Sequence, residues 1–174
     1  LEVVFLPVFL ELLFDPVDPL TAIALRFVDL DNDGNLDLYL SNYDLPDQIF
    51  LGDGSGKFKR YMQETGIAKS LGHASYGAVF ADVNGDGRQD IFIPYYVSSG
   101  GRFFHLFLND GAMHFHADDQ QLFFSSTDLS PTAVTAEDLN NDGAIDLYIH
   151  SQKVPPMLWL NDGIGKFRDV SAAA

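Results

Sequence analysis

The chain has 174 residues, a formal net charge of −15 and no cysteine. The negative charge argues against nucleic acid and anionic membranes as partners, and the lack of cysteine excludes disulfides and thiolate metal sites. No apolar stretch reaches the roughly 18 residues of a membrane-spanning helix, so we expect no membrane insertion.

The first predicted element is an apolar segment at the start of the chain. It contains the run VVFLPVFLELLF, which Pro7 and Glu11 interrupt. Residues 12–23 align with residues 123–134, which span the start of the third repeat described below. We therefore assign residues 1–20 to a strand or connector, which either packs within its own chain or docks on a neighbouring subunit.

An acidic motif occurs three times, each time with a second marker. The motif begins at Asp29, Asp82 and Asp138 as DLDNDGNLD, DVNGDGRQD and DLNNDGAID, with spacings of 53 and 56 residues. The marker is LGDGSGKF, LNDGAMHF or LNDGIGKF and begins 22, 26 or 22 residues after the motif. Two markers in near-constant phase predict an internal repeat. We expect repeats 1, 2 and 3 at residues 21–70, 71–130 and 131–174.

Each repeat predicts four short strands. In repeat 1 the first two flank the acidic motif, and the last two flank the marker, whose Asp-Gly and Gly residues are typical of hairpins. These strands are residues 24–29, 36–42, 48–51 and 57–62. Continuous apolar runs such as LDLYL indicate strands buried on both faces, as in stacked sheets. The fold class is therefore all-β, with three four-stranded β-propeller-type blades that carry the acidic loops. Closed propellers need about four to eight blades, so the propeller is incomplete or open unless other chains complete it.

Each acidic motif carries the donor pattern of a cation-binding loop. Oxygen-bearing side chains stand at positions 1, 3, 5 and 9, and glycine always stands at position 6. A tightly wound loop points alternate side chains at one centre, and glycine permits the turn that lets the position-7 carbonyl face inward. Carboxylate, amide and carbonyl oxygens suit a hard cation with a large coordination shell, which favours Ca²⁺ over Mg²⁺.

We therefore predict three calcium sites. Their members are Asp29, Asp31, Asp33, Asn35 and Asp37; Asp82, Asn84, Asp86, Arg88 and Asp90; and Asp138, Asn140, Asp142, Ala144 and Asp146. Asn35, Arg88 and Ala144 contribute backbone carbonyls. Position 12 is apolar and the flanks are strand-like, which excludes an EF-hand. Simple turns also use Asp, Asn and Gly, but three copies at one spacing favour ion binding.

The motifs VDLDNDGNLDLYLSN, ADVNGDGRQDIFIPY and EDLNNDGAIDLYIHS, each followed by the marker, resemble the FG-GAP/VCBS repeat family. Residues 66–87 are similar to the joint between blades in VCBS-type proteins, and the resemblance covers about residues 20–170. It implies calcium-binding propeller blades, with calcium at the matching positions. It also implies an extracellular location, secreted or at the cell surface, and adhesion or binding rather than catalysis. Propellers of this family usually have seven blades, whereas this chain offers three.

Other side chains were weighed for chemistry. His114 and His116 are two apart on a predicted strand and could share a metal, but a solvated strand face is the favoured interpretation. Trp159 and Tyr148 could stack on a sugar, but packing between blades is favoured. No Ser/His/Asp set has local support, so we expect no enzyme.

We expect a calcium-stabilised extracellular structural or adhesion module. Three open blades leave edges that favour pairing of the chain with itself, as a homo-oligomer or as a polymer or fibre formed by strand addition. The alternatives are a glycan-binding propeller lectin and a fragment of a larger secreted propeller protein. Glycans and cell-surface proteins are the other expected partners.

Overall fold

A computed structural model describes residues 22–42, 46–67, 77–96, 102–118, 131–151 and 154–173. These residues form three four-stranded antiparallel sheets, which we call blades 1, 2 and 3. Blade 1 comprises β1 (Ala22–Val28), β2 (Asp37–Asn42), β3 (Gln48–Gly52) and β4 (Phe58–Arg60). Blade 2 comprises β5 (Val79–Ala81), β6 (Asp90–Tyr96), β7 (Arg102–Gly111) and β8 (His114–Ala117). Blade 3 comprises β9 (Pro131–Glu137), β10 (Asp146–Ser151), β11 (Met157–Asn161) and β12 (Phe167–Asp169), and a 3-10 turn (Ser171–Ala173) follows it.

The predicted all-β fold with four strands per blade is confirmed. The predicted N-terminal strand or connector, residues 1–20, lies outside the described residues. Within the described part of the chain, no helix is long and apolar enough to cross a membrane.

Each blade is a meander in which the strands pair in chain order. The acidic motif forms the loop between the first and second strands, and the marker forms the loop between the third and fourth. We call the acidic loops loop 1 (residues 29–37), loop 2 (residues 82–90) and loop 3 (residues 138–146). A meander brings its first and third connections to the same end of the sheet. Each acidic loop therefore lies beside the marker of its own blade.

The second strands of blades 1 and 2 are buried on both faces, as their continuous apolar sequences predict, whereas the second strand of blade 3 is buried on one face only. In β2, Leu38 and Leu40 point to one face and Tyr39 to the other, and all three are at most 2% exposed. In β10, Leu147 and Ile149 are equally well buried. Full burial of each such side chain contributes about 1.5–3 kcal/mol, so the stacking of sheets is the main source of stability.

Two apolar layers join the blades. Tyr39 and Ile49 of blade 1 belong to a buried cluster with Ile91 and Phe107 of blade 2, and the ring of Tyr39 meets that of Phe80 edge-on at 5.3 Å. A second buried cluster joins blade 2 to blade 3 and contains Phe92, Leu106, Leu147 and Trp159. Trp159 therefore packs between blades.

Blade 3 exposes apolar side chains at positions that are covered in blade 1. Leu139 and Tyr148 are 44% and 40% exposed, whereas Leu30 and Tyr39, at the same positions of repeat 1, are each 1% exposed. In blade 1 the next blade covers these two residues. The outer face of blade 3, defined here by Leu139 and Tyr148, therefore has the character of a blade-stacking surface.

Candidate metal centre

The carboxylate at position 1 organises each acidic loop. Asp29 accepts hydrogen bonds from the backbone N–H groups of Asp33 and Gly34, at 3.2 and 3.0 Å. Asp82 and Asp138 accept the same pair of bonds in loops 2 and 3. The glycine at position 6 has a positive φ in all three loops, from +82° to +90°, which explains why no other residue type occurs there.

The carboxylate at position 9 is buried and ties the acidic loop to the marker. Asp37 is fully buried and accepts the N–H groups of Leu30 and Gly52, both at 2.9 Å. Asp90 and Asp146 accept the equivalent pairs, from Val83 and Asn109 and from Leu139 and Asn161. Each of these six bonds leaves the carboxylate oxygen with lone pairs that can still bind a cation.

Three of the four predicted carboxylates of loop 1 converge. Ligand oxygens of Asp29, Asp31 and Asp37 all lie within 4.8 Å of one another, and this is the one such cluster of acidic or histidine ligands among the described residues. Burial raises the pKa of Asp31, and the neighbouring charges of Asp33 and Asp29 raise it further. Burial likewise raises the pKa of Asp37. The cluster therefore holds negative charge where it is poorly solvated.

Asp33, the fourth carboxylate of loop 1, lies outside this cluster. It accepts the backbone N–H and the side-chain amide of Asn35, at 2.7 and 2.9 Å. The bond to the backbone recurs in loops 2 and 3, where the position-7 residues Arg88 and Ala144 donate to Asp86 and Asp142 at 2.9 Å. Position 5 thus fixes the peptide whose carbonyl the sequence predicts as a ligand.

Loops 2 and 3 carry less negative charge than loop 1. Asn84 and Asn140 stand at position 3, and each donates its side-chain amide to the position-5 carboxylate, at 3.0 and 2.7 Å. In loop 2 the Arg88 guanidinium also pairs with Asp86 at 2.6 Å. Burial raises the pKa of Asp90 to about 6, and its hydrogen bonds to Asn109 and Val83 oppose this shift.

His114 and His116 both form hydrogen bonds to one aspartate. The Nδ1 atoms of His114 and His116 lie 3.1 and 2.9 Å from one carboxylate oxygen of Asp110. Both hydrogen bonds lower the pKa of Asp110, and the one with His116 has the larger effect. All three side chains are exposed on the β7–β8 hairpin.

The marker asparagines have a role that the sequence pattern does not predict. Asn109 and Asn161 are 2% and 4% exposed, and each side chain donates to the backbone of two different blades. The sequence of the marker predicts only a hairpin. The available signal was a polar residue that ends an apolar strand at a fixed place in two repeats.

Comparison with known proteins supports the repeat assignment. Residues 29–93 match the model of the FG-GAP-like repeat. This match confirms the family resemblance on the residues of loops 1 and 2 and the strands between them. No match was found among curated proteins.

One solved structure similar to this chain is that of a β-propeller lectin from Agrocybe aegerita that specifically recognises non-reducing terminal N-acetylglucosamine. The TM-score is 0.56 and the sequence identity 22%, and the similarity covers 85% of this chain. The chain spans only 38% of the length of the lectin. At this identity the likeness shows the fold alone: the three sheets are β-propeller-type blades.

Proposed function

We propose that this FG-GAP module is a non-enzymatic, extracellular structural or adhesion domain that is stabilised by calcium in loops 1, 2 and 3. The main observation in support is that ligand oxygens of Asp29, Asp31 and Asp37 lie within 4.8 Å of one another, with Asp37 fully buried. A site built only of oxygen ligands fits calcium better than a transition metal.

Calcium would supply the positive charge that these loops need. Loop 1 gathers three carboxylates, and three bound ions would change the formal charge of the chain from −15 to −9. The chain's own residues hold the loop in shape through the backbone hydrogen bonds to Asp29 and Asp37. Extracellular calcium modules often bind with dissociation constants of ~10⁻⁴–10⁻³ M, and sites of that affinity fill outside cells.

Calorimetric titration with calcium, together with thermal unfolding with and without calcium, tests this proposal. We expect up to three sites and a melting temperature that rises with calcium. Asp37→Asn should abolish the response of loop 1, whereas Asp53→Asn should preserve it because Asp53 is an exposed acid of the neighbouring marker. A wild-type protein that neither binds calcium nor gains stability from it would refute the proposal.

Self-association is the second part of the proposal, and the outer face of blade 3 favours it. Leu139 and Tyr148 are exposed there, although their equivalents in blade 1 are covered by another blade. Light scattering of the wild type should show oligomers or polymers that Leu139→Lys dissociates, while the matched surface change Ile164→Lys leaves them intact. A wild-type monomer at all concentrations would contradict this part.

Glycan binding is the alternative function, favoured by the likeness to a lectin that recognises N-acetylglucosamine. Retention on a column bearing terminal N-acetylglucosamine, with elution by the free sugar, would support it. Retention that free sugar does not reverse would count against it.

A further inference from the structure

A buried asparagine joins the acidic loops of blades 1 and 2. The Nδ2 atom of Asn109 donates to the carbonyl of Leu30 in loop 1 and to the carbonyl of Gln89 in loop 2, both at 3.1 Å. Its Oδ1 atom accepts the N–H of Gly111 at 2.9 Å. An amide nitrogen has two hydrogens, so one side chain uses both of its donors to hold two loops.

The same arrangement joins blades 2 and 3. Asn161 donates to the carbonyl of Val83 in loop 2 at 2.7 Å and to that of Ile145 in loop 3 at 3.0 Å. Its Oδ1 atom accepts the N–H groups of Gly163 and Gly165. Two independent copies of one geometry indicate a built feature of the repeat.

The bonded carbonyls stand between the predicted calcium ligands. Leu30 is at position 2 of loop 1, between Asp29 and Asp31. Gln89 is at position 8 of loop 2, just before Asp90. The backbone N–H of Asn109 also donates to Asp90, at 2.8 Å. Release of these carbonyls would therefore loosen the backbone beside ligands in both loops.

We propose that Asn109 and Asn161 are ligand-positioning residues that couple each calcium loop to the loop of the next blade. This inference rests on the proposed calcium binding. Asn109 serves loops 1 and 2, and Asn161 serves loops 2 and 3. Blade 1 has Gly52 at the equivalent position, which carries no side chain, so loop 1 is linked to a neighbouring loop through Asn109.

A direct contact between the loops is a weaker link. The side chain of Asn32 donates to the carbonyl of Gly87 at 3.0 Å, but this bond is exposed to solvent. Exposed hydrogen bonds exchange with water and contribute little, whereas those of the buried asparagines lack this competition. The coupling should therefore follow the asparagines.

Site-resolved calcium titration by NMR of the ¹⁵N-labelled chain tests the inference. The position-6 glycines, Gly34, Gly87 and Gly143, each donate to the position-1 carboxylate of their own loop and so report its occupancy separately. Asn109→Ala should raise the half-saturating calcium concentration about tenfold for Gly34 and Gly87 and leave Gly143 within about twofold. Asn161→Ala should raise the half-saturating calcium concentration for Gly87 and Gly143 and leave that for Gly34 unchanged.

A matched control separates this role from general stability. Asn42 is also buried, and its Nδ2 atom donates to the carbonyl of Pro46 at 2.8 Å, away from the acidic loops. Asn42→Ala should leave all three glycine curves unchanged. If Asn109→Ala does not fold, Asn109→Gly copies the residue that blade 1 uses at this place.

The outcomes distinguish the inference from the function on which it rests. Equal changes at all three glycines after Asn109→Ala, or no change at any, would overturn the coupling while calcium binding stands. Wild-type glycine signals that do not respond to calcium would overturn both.

Reciprocity gives a second measurement. Binding that couples two sites acts equally in both directions. When Asn109 is present, loss of the loop 1 ion through Asp29→Ala should therefore raise the half-saturating calcium concentration reported by Gly87 roughly fivefold, a typical coupling between sites. The same loss in the Asn109→Ala background should add little. An undiminished effect in that background would show that the coupling bypasses the asparagine.

Discussion

Asp31→Asn should change the stability of the calcium-free protein and its calcium affinity in opposite senses. Oxygens of Asp31, Asp29 and Asp37 lie within 4.8 Å of one another. Two unit charges at that distance repel by about 0.9 kcal/mol even at the dielectric constant of water, and Asp31 takes part in two such pairs. The substitution should therefore stabilise the calcium-free protein by up to about 2 kcal/mol at low salt.

The same substitution removes one anionic ligand from loop 1. We expect the calcium affinity of that loop to fall about tenfold, which corresponds to about 1.4 kcal/mol. Loops 2 and 3 carry asparagine at this position and fold with the same hydrogen-bond pattern, so the loop should keep its shape. Because Asp31 gives loop 1 a fourth carboxylate, we expect loop 1 to bind calcium more tightly than loops 2 and 3.

Thermal unfolding by circular dichroism, in calcium-free buffer and at saturating calcium, measures both effects. The calcium-free melting temperature should rise by up to about 4–8 °C, and the gain on adding calcium should shrink. The reverse change in loop 2, Asn84→Asp, is the matched control and should lower the calcium-free melting temperature while tightening the loop. A lower calcium-free stability in Asp31→Asn, or an unchanged calcium affinity, would refute the electrostatic reasoning.

Three further predictions concern single groups. Burial raises the pKa of Asp90 to about 6, above its unfolded value of 3.8, so its contribution to stability is complete below about pH 3.8 and is lost as the pH rises through about 6. Calcium binding to loop 2 needs the ionised carboxylate, so the calcium affinity of that loop should fall by up to about tenfold for each pH unit below 6, as measured by titrations followed at loop 2. Tyr39→Phe removes a partly buried 2.6 Å hydrogen bond from the Tyr39 hydroxyl to Asp47 and should cost about 1 kcal/mol in urea unfolding. Tyr148→Phe, at an exposed ring, should change the stability by less than about 0.5 kcal/mol, and equal losses in the two variants would contradict the role of the Tyr39 bond. Gly66→Ala places a methyl group 2.0 Å from a backbone carbonyl oxygen of blade 2 and should destabilise the protein by more than about 2 kcal/mol. Gly56 has the same positive φ but open space around it, so Gly56→Ala should cost only about 1–2 kcal/mol in the same assay.

The sequence predicted the blades because their signals are local. The continuous apolar run of β2 and the Asp-Gly turn of the marker each depend on a few neighbouring residues, and the strands formed within one or two residues of the expected ends. The glycine at position 6 likewise indicates a backbone conformation that other residues resist, and its φ is positive in all three loops.

The rest depended on contacts between distant residues. Asn109 meets the carbonyl of Leu30 across 79 residues, and nothing beside Asn109 in the sequence indicates that partner. The motif predicts only a backbone carbonyl at position 7, and it does not indicate that the Arg88 guanidinium pairs with Asp86. The displacement of Asp33 from the acid cluster follows from the side-chain amide of Asn35, whose orientation the spacing of the motif does not reveal.

One hydrogen bond explains why the acidic motif and the marker keep a nearly constant phase. The position-9 carboxylate accepts an N–H from the marker, over 15 residues in blades 1 and 3 and over 19 in blade 2. A meander places this bond at one end of the blade and the turn between the second and third strands at the other. Extra residues at the far turn lengthen the intervening hairpin without moving either partner of the bond. The longer phase of repeat 2 thus leaves Asp90 and Asn109 placed as their equivalents are in blade 3, and the loop end of each blade can be preserved while the opposite end varies.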